Sequence, residues 1–362
     1  MTDIHAQRRV QLRDLCLLHG LDGALVFASR RSQVTYFTSY RPGFLSNWSA
    51  LWVGRAQESL ATNFPFDCER ASQASGMHVA AASRPIDVIP DGVRRVGLVT
   101  RDLVVDECPR SLLEDLSARG IAWVDIADSV IDWRSVPTPG EVESARAAAR
   151  LCDRAFRELQ ARPAECSDDY SVVGFIEGYV RSREAAQALC LVGLGDGSVV
   201  TEPLGRPRRP GDIVSLELTL LLDSMWTQAN WTFAPDGMTA DNRLAAEACW
   251  ATRARLMSAL RPGATAGRVF HEGVAAMEEF GLDPWIEYDF GHGVGPHTPE
   301  LPRLTRESED LIAEGNVVAV HAAVRSPTGP TWFVGGPVAV TSAGCEELVP
   351  DAVWVAPTEG KA

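Results

Sequence analysis

Residues 7–19, QRRVQLRDLCLLH, place Val10, Leu12, Leu15, Leu17 and Leu18 close to a helical stripe, so the chain opens on an amphipathic helix. ALVFA (24–28) and VTYFTSY (34–40) follow as short runs rich in β-branched and aromatic residues, which read as strands. ALWVG (50–54), VGLVT (96–100) and IAWVDI (121–126) continue the strand series, and PRSLLEDLSARG (109–120) reads as a helix before the last of them. Together they predict a small α/β domain.

DWRSVPTPGEVE (132–143) carries two prolines and a glycine and then a helix start near Glu141, so the boundary falls here and the domains are 1–135 and 136–362. The next helix is strongly amphipathic, with Val142, Ala145, Ala149, Cys152, Phe156 and Leu159 on one face. A second helix covers 168–186. Residues 208–234 read as two strands joined by a turn at Asp223-Ser224, and two helices follow at 241–260 and 266–280. The last third returns to strands at 316–324, 331–341 and 346–350. LVGLGDG (191–197) is glycine-rich with no phosphate-loop lysine after it, and reads as a loop at a pocket entrance.

Composition narrows the partners. Lys and Arg total 34 against 48 Asp and Glu, a net charge of −14, which repels phosphate backbones and anionic lipid. Nucleic acid and membrane partners are therefore not expected, and a small-molecule substrate is. The eight cysteines are scattered with no CxxC pair, which argues against a Cys-rich zinc site and fits a reducing compartment. No apolar stretch follows the first charged residues, and no uninterrupted apolar run reaches about 18 residues, so the expected location is cytoplasmic.

DFGHGVGPHTPELPRL (289–304) has the look of a metallohydrolase histidine loop. With LDGALVFASRRSQVTYFTSY, PGDIVSLEL, LRPGAT, EGNVVAV and VAVTSAGCEEL, it makes the chain resemble the creatinase, prolidase, aminopeptidase P and methionine aminopeptidase family. The resemblance implies α/β (α+β) architecture: a creatinase-type N-terminal domain, then a pita-bread domain, in a homodimer. It also implies two divalent ions held by two Asp, one His and two Glu.

Carried over position by position, that ligand set is altered. Glu217 stands where the first Asp is expected, and Gln228 in QANWT where the second is, with Trp231 in place of an arginine. His292 is kept. His321 in VVAVHAAV replaces one Glu, and Gly335 in FVGGP replaces the other. The formal ligand charge drops from about −4 to about −1, too little to offset two buried dications. The metal-free branch typified by creatinase uses an upstream histidine that would fall near Val200, and none is there. A further histidine of the peptidases would align with Pro299, two residues after His297.

Three readings follow. The favoured one is a non-peptidase, metal-independent enzyme without a cofactor, acting on a small amino-acid-derived, amide or guanidino-like substrate by C–N cleavage, elimination or cyclisation. His292, His321 and His297 move protons, and Glu217 orients them or a substrate cation. Gln228, Trp226, Trp231, Trp332 and Glu300 are the expected substrate contacts, the indoles suiting an apolar or cationic group. The second reading is a mononuclear-metal hydrolase or lyase with one divalent ion on Glu217, His292 and His321. The third is a non-catalytic binding protein. Each residue also has a plainer reading: a strand Trp is usually core, and a histidine in an apolar run is usually a hydrogen-bonded core residue.

Overall fold

Asp3 caps the first helix, α1 (Ile4–Leu18), by accepting a hydrogen bond from the His5 N–H at 2.9 Å. The computed structural model describes residues 3–29, 33–42, 46–195, 200–325 and 331–355, in two units, Met1–Arg134 and Ser135–Ala362. In the first unit α1 is followed by β1 (Gly23–Ala28), α2 (Gln33–Thr38), β2 (Ser49–Gly54), β3 (Glu58–Thr62), α3 (Cys68–Ser75) and β4 (Val79–Ala81). Then come β5 (Arg95–Val99), α4 (Arg110–Ala118), β6 (Ala122–Asp125) and α5 (Ala127–Arg134). The mixed sheet runs β4-β3-β2-β1-β5-β6, and all six residues of β1 are buried because it lies inside the sheet with both faces covered.

One element differs from the sequence pattern. VTYFTSY, read as a strand, forms the short helix α2 over Gln33–Thr38. Its β-branched residues are kept helical by local hydrogen bonds, Thr38 Oγ1 donating to Val34 O at 2.7 Å and Thr35 Oγ1 to Tyr40 O at 2.8 Å. All six residues are buried, so packing overrides strand propensity.

The second unit opens with α6 (Pro139–Gln160). Thr138 and Glu141 close a capping box around its start and Pro139 supplies a preset φ, which is how the proline-rich boundary becomes a helix. After α7 (Asp169–Arg181), β7 (Gln187–Leu194), β8 (Val214–Leu222) and β9 (Met225–Phe233) form an antiparallel meander. Leu191–Leu194, read as loop, thus belongs to β7; residues 196–199, including Gly197 and Ser198, lie outside the described residues. The β8–β9 turn is tight, with Asp223 at φ 45° and Ser224 at φ 70°, the geometry of a two-residue hairpin.

α8 (Ala240–Ala259) and α9 (Ala266–Glu278) come next, then β10 (Gly291–Gly293), β11 (Glu300–Arg303), β12 (Val317–Arg325), β13 (Thr331–Thr341) and β14 (Gly344–Glu347). The sheet order is β11-β10-β12-β13-β9-β8-β7, with β14 on β13. α6 packs on Leu216, Leu218, Ala229 and Trp231, while α8 and α9 pack on Val318, Val320 and Val338. Among the described residues no helix is long and apolar enough to cross a membrane.

Trp354 is fully buried in the core beneath α6, edge-on to Phe156 with ring centroids 6.2 Å apart. Trp354→Ala should cost about 3–5 kcal/mol of unfolding free energy in a denaturant titration, against about 0.5 kcal/mol or less for the exposed Leu204→Ala. Equal effects would contradict this packing.

Candidate active site

The strand register decides which side chains share a face. Glu217 on β8 pairs with Asn230 on β9, Asn230 with Gly335 on β13, and Gly335 with His321 on β12. Directly paired residues point the same way, so these four form one row across four strands. Gln228, two residues before Asn230, lies on the same face; Trp231, one residue after Asn230, lies on the other.

His292 joins from β10, where it pairs with Ala319, two residues before His321. Gly291 makes this pairing possible. Its φ is 138°, and a Cβ there would lie 2.0 Å from Ala319 O, so β10 can meet β12 only with glycine at that position. His292 Nδ1–H donates to Gly293 O at 2.9 Å, which leaves Nε2 as the proton-accepting nitrogen of the neutral ring. The His292 and His321 rings stand 6.4 Å apart at 74°, and Phe333 lies edge-on to His321 at 5.2 Å. His321 Nδ1 has no hydrogen-bond partner among the described residues, and Nε2 is 3.9 Å from Asp289 Oδ1.

Asp289 is the residue that motif reading passed over. It sits three positions before His292 and also lies 3.9 Å from Arg303. Asn230 was passed over as well. Strand alternation from Gln228 would have found it, because both fall on the Glu217 face. The Asn230 amide lies beside Glu217 as its registered partner, and neither of its polar atoms completes a hydrogen bond among the described residues.

Burial sets the charge state of the face. Glu217 is pushed up to about 7, chiefly by desolvation and against the pull of the Gln228 amide. Desolvation also raises Asp289, with His292 and Arg303 opposing. Both histidines move the other way: burial lowers His292, and burial with the neighbouring His292 takes His321 down to about 3. Near pH 7 the imidazoles are neutral, and Glu217 is divided between its acid and its carboxylate.

The structure separates the other expected contacts. Trp226 is half-buried on the Gln228 face, its backbone N–H donating to Gly295 O at 2.8 Å. Trp231 and Trp332 are corrected to core: both belong to the cluster under α6 and α8, and Trp332 pairs with Val324, out of phase with His321. A period of two along each strand forces this. His297 and Glu300 are buried in the segment after the GHG strand; His297 Nδ1 accepts from the Thr298 N–H at 2.9 Å, and Glu300 pairs with Gly293.

A pair of divalent ions does not fit these donors. The row and Gln228 offer one carboxyl, two amides, an imidazole and a glycine, with His292 and Asp289 beside them, and among the described residues no group of three or more His, Cys, Asp or Glu is placed to hold an ion. Glu217, His292 and His321 share the face but do not form such a group in this structure.

The profile of metallopeptidase family M24 matches residues 143–349. An Xaa-Pro dipeptidase of Pyrococcus furiosus is 22% identical over 227 residues, which is 62% of this chain and 65% of that protein, just under two thirds of its length. Among solved structures, prolidase from Pyrococcus horikoshii superposes with TM-score 0.83 at 16% identity, covering 96% of this chain and 100% of that one. X-Pro aminopeptidase from Thermotoga maritima gives TM-score 0.85 at 18% identity, covering 96% and 99%. The architecture is therefore the expected one, an N-terminal α/β domain followed by the pita-bread fold. The relatives overturn the expectation of a non-peptidase, metal-independent enzyme, since they are named as dipeptidases and an aminopeptidase. That expectation took exchanged ligand side chains for a changed reaction, which they do not by themselves specify.

The raised Glu217 fixes a pH signature. An acid whose folded value is about 7 against an ordinary 4.5 favours the folded state below about 4.5, and that contribution is lost as pH rises to about 7. His321 works in the opposite sense, losing stability as pH falls from 6.5 towards 3. The stability of the native chain minus that of Glu217→Gln cancels the histidine and should fall by up to about 3 kcal/mol across pH 4.5–7. A flat difference in urea titrations would contradict the desolvated carboxyl.

Proposed function

The chain belongs to metallopeptidase family M24, and on that premise we propose that it hydrolyses the amide bond of a small peptide-class substrate on the face carrying Glu217, Asp289, His292 and His321. Dipeptides ending in proline are the first substrates to try, from the names of the relatives. The observation that carries the reading is a carboxyl poised near neutrality and a tautomer-fixed histidine, both half-buried on one side of the sheet.

Amide hydrolysis needs a base for the attacking water and an acid for the departing nitrogen. His292 Nε2 takes the water proton as the water oxygen bonds to the carbonyl carbon. Protonated Glu217 donates to the nitrogen as the C–N bond breaks, and both groups return to their starting states by exchange with solvent. Gln228 holds the Glu217 carboxyl, and Asp289 stabilises positive charge arising on the imidazoles. The proposal includes the lack of the family's dinuclear centre, and the roles given to these residues do not depend on whether a single ion is bound.

The test is a dipeptide panel, Xaa-Pro and proline-free, with released amino acids quantified by mass spectrometry. At least one member should be cleaved, and Glu217→Gln and His292→Ala should each lower kcat about 10²–10⁴-fold while remaining folded. No cleavage anywhere in the panel, or full activity in both variants, would sink the assignment.

A further inference from the structure

Gly335 is the one position of the four-strand row with no side chain, and its surroundings give the reason. A Cβ there would lie 2.3 Å from His321 Cβ, 2.5 Å from His321 Cα and 2.6 Å from Val320 O. Non-bonded carbons meet at about 3.5–4.0 Å, so even alanine would overlap its neighbours by about 1 Å. Two of those three atoms are backbone, and no change of rotamer moves them.

From the opposite face the same step is tied together. Val320 and Gly336 form the adjacent registered pair. Arg253, buried on α8, donates from Nε to Val320 O at 3.0 Å and from Nη2 to Gly336 O at 3.3 Å. Glu347 on β14 balances its charge, accepting from Arg253 Nη2 at 2.9 Å. Parting the strands to admit a side chain at 335 would stretch these charge-assisted hydrogen bonds in a buried site, where they are hard to replace.

We propose that Gly335 is a positioning residue for His321: by carrying no side chain it lets β13 close on β12, and that closure seats the imidazole between Phe333 and Asp289. A side chain at 335 and the present seat of His321 exclude each other. The departures at 321 and 335 are then one coupled change, and a carboxylate cannot be restored at 335 by a single substitution. The proposal rests on the hydrolase reading only for the use made of His321, and its test needs no turnover.

Histidine-labelled protein would be followed by carbon–proton NMR, with the His321 signal identified by its loss in His321→Gln. Gly335→Ala should move that signal. Val334→Ala, which removes buried methyl groups on the helix-packed face, should leave it in place while also lowering the melting temperature. An unmoved His321 signal in Gly335→Ala, or an equal movement in Val334→Ala, overturns the proposal. If Gly335→Ala does not fold, Arg253→Lys loosens the same closure from the helix side, because an ammonium cannot reproduce the fork that reaches both Val320 O and Gly336 O. The His321 signal should then move, and an unmoved signal overturns the proposal.

Discussion

The close approach of β12 to β13 at His321 and Gly335 is the contact on which the candidate site depends. Nine residue pairs run from Val317–Ala339 to Arg325–Thr331, and Arg253 ties their centre from the helix side. That pairing fixes which residues of β13 face the site, and the Gly335–Asn230 bridge passes the register on to β9. Glu217 then follows from the β8–β9 hairpin, whose turn at Asp223 and Ser224 admits no slip without turning Glu217 into the core.

A face built this way is polar but carries little charge. Burial penalises each charged form, raising the carboxyls of Glu217 and Asp289 and lowering both imidazoles. The amides of Gln228 and Asn230 add hydrogen-bonding capacity without charge. Such an environment suits proton transfer near neutral pH, where Glu217 is found in both forms. It suits a pair of dications poorly, because desolvating them costs far more than the two desolvated carboxyls of Glu217 and Asp289 can offset.

Much of this was legible in the sequence. The helix start in Thr-Pro-Gly-Glu and the Asp-Ser turn each have a local physical cause, and each appears where the pattern puts it, whereas the GHG segment, read as a loop, is strand β10. α2 was not legible, because VTYFTSY has the residues of a strand and becomes helical through burial and hydroxyl bonds that depend on tertiary context. At the site, Glu217, Gln228, His292 and His321 were found by motif spacing. Asn230 and the core placement of Trp231 could have been found by counting in twos from Gln228. Asp289 could not, since its role arises from where β10 brings it beside β12. The reaction was misjudged because side-chain exchanges were weighed more heavily than the sheet that carries them.

The central claim is that these donors hold no pair of divalent ions, and metal stoichiometry tests it most directly. The protein would be dialysed to equilibrium against Mn²⁺ or Co²⁺, with His292→Ala alongside, and bound metal counted per chain by elemental analysis. The account predicts no saturable binding of two ions per chain. Two ions per chain, lost in His292→Ala, would contradict it.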